Sequence, residues 1–429
     1  MLNTIVALLI FVICLAVIFS ERLNRMIASL CGAVAMIVIG SLLGFYSEEQ
    51  AAASIDFNTI GLLLGMMILV AILEPTGLFQ AMAILVAKQS GGKPVRLLFY
   101  LGFITTFISM FLDNVTTVVL IAPVTILLCE ILGLNPQPYL LAEALLSDTG
   151  GVATLVGDPP NVLIGSAAGI SFADFLVYSL PIVLVVWVVA LYMLRYLFRR
   201  ELAQVPAGLE ALADLRPEDA LVDRHSAIKV LWILAGTILF FLLEEVLFIR
   251  PAIVALGAAS AALAWVRPPV QETLKRVQWD VLIFFSALFV MIGGLQATGV
   301  MENLANLIGQ AKNLPTVYLG LILLWVVAAL SAVVDNVPIT IALIPIIKGL
   351  ESAGVPAEPL WWALVFGAGF GGNGTIIGST ANIVVSSLSE KTRAPITPIV
   401  WNRYGLPVMI GTCLTASLLY VVMVSLAGW

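Results

Sequence analysis

Two Asp-Asn pairs stand inside strongly apolar sequence: Asp113-Asn114 in "FLDNVTTVVLIAP" and Asp335-Asn336 in "VVDNVPITIALIP". Each carboxylate is placed to cap a following helix by accepting backbone N–H groups two or three residues on, with Thr116 completing the first of these turns. The same oxygens can hold a cation. Capping alone, and capping together with Na⁺ at Asp113, Asn114, Asp335 and Asn336, both fit the pattern. Two other motifs interrupt apolar runs. In "GGVATLVGDPPN" from Gly150, Asp158 precedes tandem prolines that forbid a continuous helix, and Asn161 follows them. In "GGNGTIIGSTAN" from Gly371, clustered glycines weaken the helix around Asn373, Thr375 and Asn382. Each break frees N–H groups, which favour anions, and carbonyls, which favour Na⁺ or a proton carrier. The amides of Asn114, Asn161, Asn336 and Asn382 suit either a ligand or a partner for those freed backbone groups.

Further acids lie in apolar stretches. A carboxylate at membrane depth costs several kcal/mol unless it is paired or protonated, which makes it a functional candidate. Asp148 and Glu143 are the candidates for proton exchange or coupling. Glu74 precedes Pro75 at the expected end of a span, where it can reach the interface. In the second half the counterpart of Asp148 is Gly369 and that of Asp158 is Ser379, so the charge is asymmetric. Little else points to chemistry. His225 is the single histidine and lies in a polar loop. Cys14, Cys31, Cys129 and Cys413 are scattered through apolar segments and read as small buried side chains. No nucleophile–base pair, nucleotide-binding loop or metal-ligand spacing is present, so no enzymatic activity and no cofactor beyond a coupling Na⁺ or H⁺ are expected.

These residues must be positioned by membrane-spanning helices. The 429 residues are 61% hydrophobic and 11% charged, and the mean hydropathy is +1.09. Soluble domains carry roughly 25% charged residues. Apolar runs of about 20 residues recur, enough to cross a core about 30 Å thick. The chain also repeats itself. "IDFNTIGLLLGMMILVAILEPTGLF" from Ile55 aligns with "VQWDVLIFFSALFVMIGGLQATGVM" from Val277, and the Asp-Asn and Gly-Gly motifs align in the same order, with Pro123 falling on Pro345. The two prolines read as shaping their helices.

The expected fold is all-α and polytopic, with two repeats of five spans plus one re-entrant hairpin each. Spans are expected at 2–20, 26–44, 58–87, 138–168 and 175–198, then at 227–248, 249–266, 280–310, 358–388 and 405–427. The first repeat covers 1–198 with its hairpin at 97–133, a cytoplasmic linker covers 199–226, and the second repeat covers 227–429 with its hairpin at 315–350. Five spans per repeat is odd, so the second must be inverted, with broken helices meeting at the midplane. With the linker in the cytoplasm, all of the 20 Lys and Arg except Arg250, Lys312 and Lys348 fall on the cytoplasmic side. Both termini are then non-cytoplasmic, and the apolar N-terminus reads as a retained span.

The hairpin and break motifs, with "GGVATLVGDPPNVLIGSAAG" and "FGAGFGGNGTIIGSTANIVV", resemble the signature segments of the ion transporter superfamily. They resemble most closely its ArsB/NhaD group and the permeases related to the melanosomal P protein of oculocutaneous albinism. The resemblance covers nearly the whole chain. It implies a dimerising scaffold, a mobile unit carrying hairpins and broken helices, and elevator-type alternating access. It further implies a secondary carrier in a plasma or inner membrane that moves a small inorganic or organic ion coupled to Na⁺ or H⁺. Its partners are then membrane lipid and a second copy of the chain, with no nucleic acid. Alternatives within the resemblance are an anion channel and a Na⁺-coupled dicarboxylate or arsenite permease. Dicarboxylate carriers have Ser-Asn-Thr at the hairpin tips where this chain has Asp-Asn-Val.

Overall fold

Apolar segments in hydrocarbon must pair every backbone N–H and C=O internally, and the chain meets that constraint with helices. The computed structural model describes residues 2–20, 22–299 and 315–429, and no strand occurs among them. Seven helices among the described residues are long and apolar enough to cross a membrane, and four shorter ones are also apolar.

In the first half, α1 (Leu2–Phe19), α2 (Arg25–Leu43), α3 (Phe57–Leu73) and α4 (Leu78–Ser90) come first. Next, α5 (Pro94–Ser109) and α6 (Asn114–Leu132) meet at Asp113. Then α7 (Gln137–Gly151) and α8 (Pro159–Ala168) flank the first break, before α9 (Leu180–Leu197). The second half holds α10 (Arg224–Leu242), α11 (Pro251–Val266) and α12 (Trp279–Ala297). There α13 (Thr316–Ser331) and α14 (Asn336–Ser352) meet at Asp335, α15 (Glu358–Gly371) and α16 (Thr380–Ser389) flank the second break, and α17 (Pro398–Ala427) closes the chain. The expected span over 280–310 is described only as far as 299, and Lys312 lies outside the described residues.

One expected span is not continuous. A 3₁₀ turn at Glu74–Thr76, followed by Gly77 at φ 76°, separates α3 from α4 within the stretch read as 58–87. Pro75 removes a helical donor there, and the left-handed glycine redirects the chain. Glu74 accepts from Arg276 Nη1 at 2.8 Å, so the turn is held by an ion pair at the surface. The segment 199–226 contains short helices rather than plain loop. It docks where Lys88 Nζ donates to the carbonyls of Ala213 and Leu215 at 2.8 and 2.6 Å. Cys31 is exposed on an apolar helix face, unlike the other three cysteines, which are buried as expected.

The two central helices are α7 and α15, buried from Pro138 to Gly151 and from Pro359 to Gly371. Helix α5 packs on α7, and α13 on α15. Small residues permit both approaches. A Cβ at Gly150 would lie 2.6 Å from Thr106 O, and one at Gly371 would lie 2.5 Å from Ala328 Cα. Around this core α1 and α2 pack against α12, and α3 packs against α11.

Candidate functional site

At the α5–α6 tip, Asp113 caps α6 by accepting from Thr116 N at 2.9 Å and Thr116 Oγ1 at 2.5 Å. Gln278 Nε2 donates to that same threonine oxygen at 3.2 Å. At the α13–α14 tip, Asp335 Oδ1 caps α14 by accepting from Val337 N at 3.1 Å. Its other oxygen is more heavily engaged, accepting from Thr380 Oγ1 at 2.7 Å and from Arg25 Nη1 at 3.2 Å. Both acids therefore cap, and among the described residues only Asp335 has a counter-charge.

The breaks use their asparagines alike. Asn161 Nδ2 donates to Gly151 O and Thr154 O, both at 2.8 Å, bridging the gap between α7 and α8. Asn382 Nδ2 donates to Gly372 O at 2.9 Å and Thr375 O at 3.1 Å across the gap between α15 and α16. Thr375 Oγ1 ties its break to Ala332 O at 2.5 Å, and Thr154 Oγ1 ties the other to Met110 O. Ser109 and Ser331 each donate at 2.8 Å to a carbonyl of the neighbouring core helix, at Ser147 and Ala368. Asn373 reaches across the halves, from Nδ2 to Leu145 O at 3.2 Å. Asn161, Asn373, Thr375 and Asn382 thus hold the irregular backbone together, and none of them lines the cavity between the tips.

That cavity encloses about 490 Å³ including its mouth and is lined by Arg25, Asp113, Asn114, Asp158, Asp335 and Asn336, among others. Asp158 precedes α8 and accepts from Asn336 Nδ2 at 2.9 Å, linking the first break to the second tip. Asp148, near the end of α7, accepts from Ser379 Oγ at 2.9 Å, linking the first half to the second break. Asn114 accepts from Ser109 Oγ at 2.8 Å and interacts with both Asp148 and Asp158. Asp113, Asp148 and Asp335 are all close enough to act electrostatically on Asp158. Asp148 and Asp158 are only 1% and 4% exposed. Four carboxyl groups therefore lie at or beside a cavity whose guanidinium pairs with Asp335 alone, and a buried charge left without a partner costs far more than a paired one. Such a set can bind a cation or take up protons.

Asp148 Oδ2, Asn373 Oδ1 and Asn382 Oδ1 are among the buried oxygens that have no hydrogen-bond donor among the described residues. Glu143 lies elsewhere on α7, accepting from Thr125 Oγ1 at 2.5 Å, and does not join the cavity. Sequence reasoning missed Arg25, which it treated only as a cytoplasmic charge. No local signal ties residue 25 to residue 335. Ser379 and Gln278 were also missed as site residues, although Ser379 stood out as the counterpart of Asp158.

A family model described as citrate transporter matches residues 14–367 of this chain. An uncharacterized transporter of Mycobacterium tuberculosis strain H37Rv is 39% identical over 430 residues, covering 97% of this chain and 98% of its own. The human P protein is 30% identical over 96% of this chain, which spans 59% of the P protein's length. The crystal structure of the Alcanivorax borkumensis YdaH transporter, described as having an unusual topology, shares the fold. Its TM-score is 0.64, at 16% identity, over 95% of this chain and 99% of that one.

Proposed function

Because the chain belongs to the citrate transporter family of membrane transporters, we propose that it is a secondary active carrier that couples a small ion or polar solute to Na⁺ or H⁺. The observation that carries this reading is the convergence of Asp113, Asp158 and Asp335 on a cavity whose one cationic lining residue among the described residues is Arg25, with the buried Asp148 acting on Asp158 from behind the lining residue Ser379. Excess negative charge at such a depth is neutralised by protons or by a bound cation, and either can be driven by its own gradient.

In this reading residues 1–198 and 227–429 are inverted repeats joined by 199–226. The hairpins, broken helices and central α7 and α15 move together as an elevator against a scaffold that dimerises in a plasma or inner membrane. The recurrence of the Asn161 bridge at Asn382 and of the Ser109 bond at Ser331 supports the repeat. Coupling-site residues are Asp113, Asn114, Asp148, Asp158, Asp335 and Asn336, while Thr116, Asn161, Asn373, Thr375 and Asn382 hold the shape of the site.

The family description names citrate. A polycarboxylate enters a site with four carboxylates only if co-bound cations or protons balance its charge. The test is uptake into liposomes holding purified protein, with imposed Na⁺ or H⁺ gradients and citrate, dicarboxylates, arsenite and chloride as solutes. Saturable uptake that follows one imposed gradient is expected. Non-saturating conductance indifferent to both gradients would assign a channel instead.

A further inference from the structure

One face of α12 is bordered by cavities from end to end. Gln278 lines a cavity of about 570 Å³ that shares Asp113 and Pro159 with the carboxylate cavity. Val281 and Phe285 line the carboxylate cavity itself. Phe285 also lines a third cavity of about 680 Å³, together with Leu288, Ile292 and Gln296. Counted from Gln278, the residue just before α12, these positions recur every three or four residues, which puts them on a single helical stripe. From Gln278 to Gln296 the stripe spans roughly 27 Å at about 1.5 Å per residue, close to the thickness of a hydrocarbon core.

Two other helices follow the same course. On α14, Val337 lines the carboxylate cavity and Ile341, Ile344 and Lys348 line the third. On α8, Pro159 lines the carboxylate cavity and Leu163 and Ser166 line the third. Phe285 is 1% exposed and stands where the two cavities adjoin. The ends of the stripe are polar. The Glu74–Arg276 pair borders one end, and Asp56, Gln296 and Lys348 border the other.

We propose that this stripe is the solute's route across the molecule and that Phe285 is the barrier residue separating its two sides. An apolar constriction resists hydrated ions because it offers nothing to replace their water. A charged solute therefore passes Phe285 only while its charge is matched by the carboxylate site. The inference rests on the transporter reading but not on which ion is coupled.

The test uses the full chain in liposomes of uniform orientation, carrying Cys31→Ser, since the other three cysteines are buried. The probe is a charged, membrane-impermeant methanethiosulfonate added from one face at a time. Gln278→Cys and Gln296→Cys should react from opposite faces, and Val290→Cys, buried off the stripe, from neither. Adding Phe285→Ala should make Gln278→Cys react about tenfold faster from the Gln296 face, whereas Phe285→Trp should preserve sidedness. Unchanged sidedness in a monodisperse Phe285→Ala protein overturns the proposal, as does Val290→Cys reacting as fast as the stripe. Should Phe285→Ala not fold, Phe285→Leu is read by the same criterion. Gradient-driven flux with a failed sidedness test removes the route and leaves the carrier standing. Sidedness that collapses as expected, with no flux of any solute, supports the route and removes the carrier.

Discussion

Asp148 and Asp158 are buried acids with no cationic partner among the described residues, since Arg25 pairs with Asp335, and Asp113 caps α6. Asp148 offers one oxygen to Ser379, and an asparagine can accept that bond equally well. Asp148→Asn should therefore fold normally and lose only the ability to exchange a proton or to balance a cation. The expected outcome is a pH profile of uptake flatter than that of the parent protein. Initial uptake rates in liposomes measure this, and an unaltered pH and Na⁺ response would make Asp148 a structural residue. Arg25→Gln removes the one guanidinium from the cavity while Thr380 still donates to Asp335. The more negative site should bind Na⁺ several-fold more tightly, read as a lower half-saturating Na⁺ concentration for uptake.

At the scale of elements, tips and breaks were legible because their residues have strong local rules. Asp before Asn-Val-Thr reads as a cap, and Asp-Pro-Pro cannot continue a helix. The role of the asparagines was ambiguous, since an amide can serve an ion or a backbone carbonyl equally well. Only the fold shows Asn161 and Asn382 bridging carbonyls across their breaks. Asn161→Ala and Asn382→Ala remove the side-chain donor from Gly151 O and from Gly372 O, at about 1–3 kcal/mol for a buried group left unsatisfied, while Thr154 O and Thr375 O keep a backbone donor. Thermal denaturation in detergent should show a clear fall in Tm for both, with loss of uptake following from instability. A variant that keeps its Tm and loses uptake would make that asparagine a ligand. Pro75 marks Glu74 as a span end, yet the expected span runs on to 87, because hydropathy averages over Pro75-Thr76-Gly77 and hides a change of direction.

For the whole molecule, class and fold could be read from composition, repeat and motif, whereas assembly could not. Faces that meet lipid and faces that meet a second copy are both apolar, so burial on association leaves no compositional mark. Long-range pairs were equally hidden: Arg25–Asp335 and Asn336–Asp158 each join segments far apart in sequence. Topology is the property that sequence does constrain, through the segregation of Lys and Arg. Trp429→Cys should react with an impermeant thiol reagent in intact cells, and protection of that site would reverse or break the ten-span arrangement.

Asp148 Oδ2, a buried acceptor that no donor among the described residues reaches, has a thermodynamic consequence. A cation held by Asp148 binds the folded chain and not the unfolded one, so its concentration becomes a determinant of stability. Linkage gives about 2.7 kcal/mol of added stability when the cation is at a hundred times its Kd. A melting curve can thus identify the coupling ion before any solute is known. Replacing Na⁺ with choline at fixed ionic strength should lower the Tm of the parent protein and leave that of Asp148→Asn almost unmoved. A Tm indifferent to Na⁺, Li⁺ and K⁺ but responsive to pH would assign Asp148 to a proton.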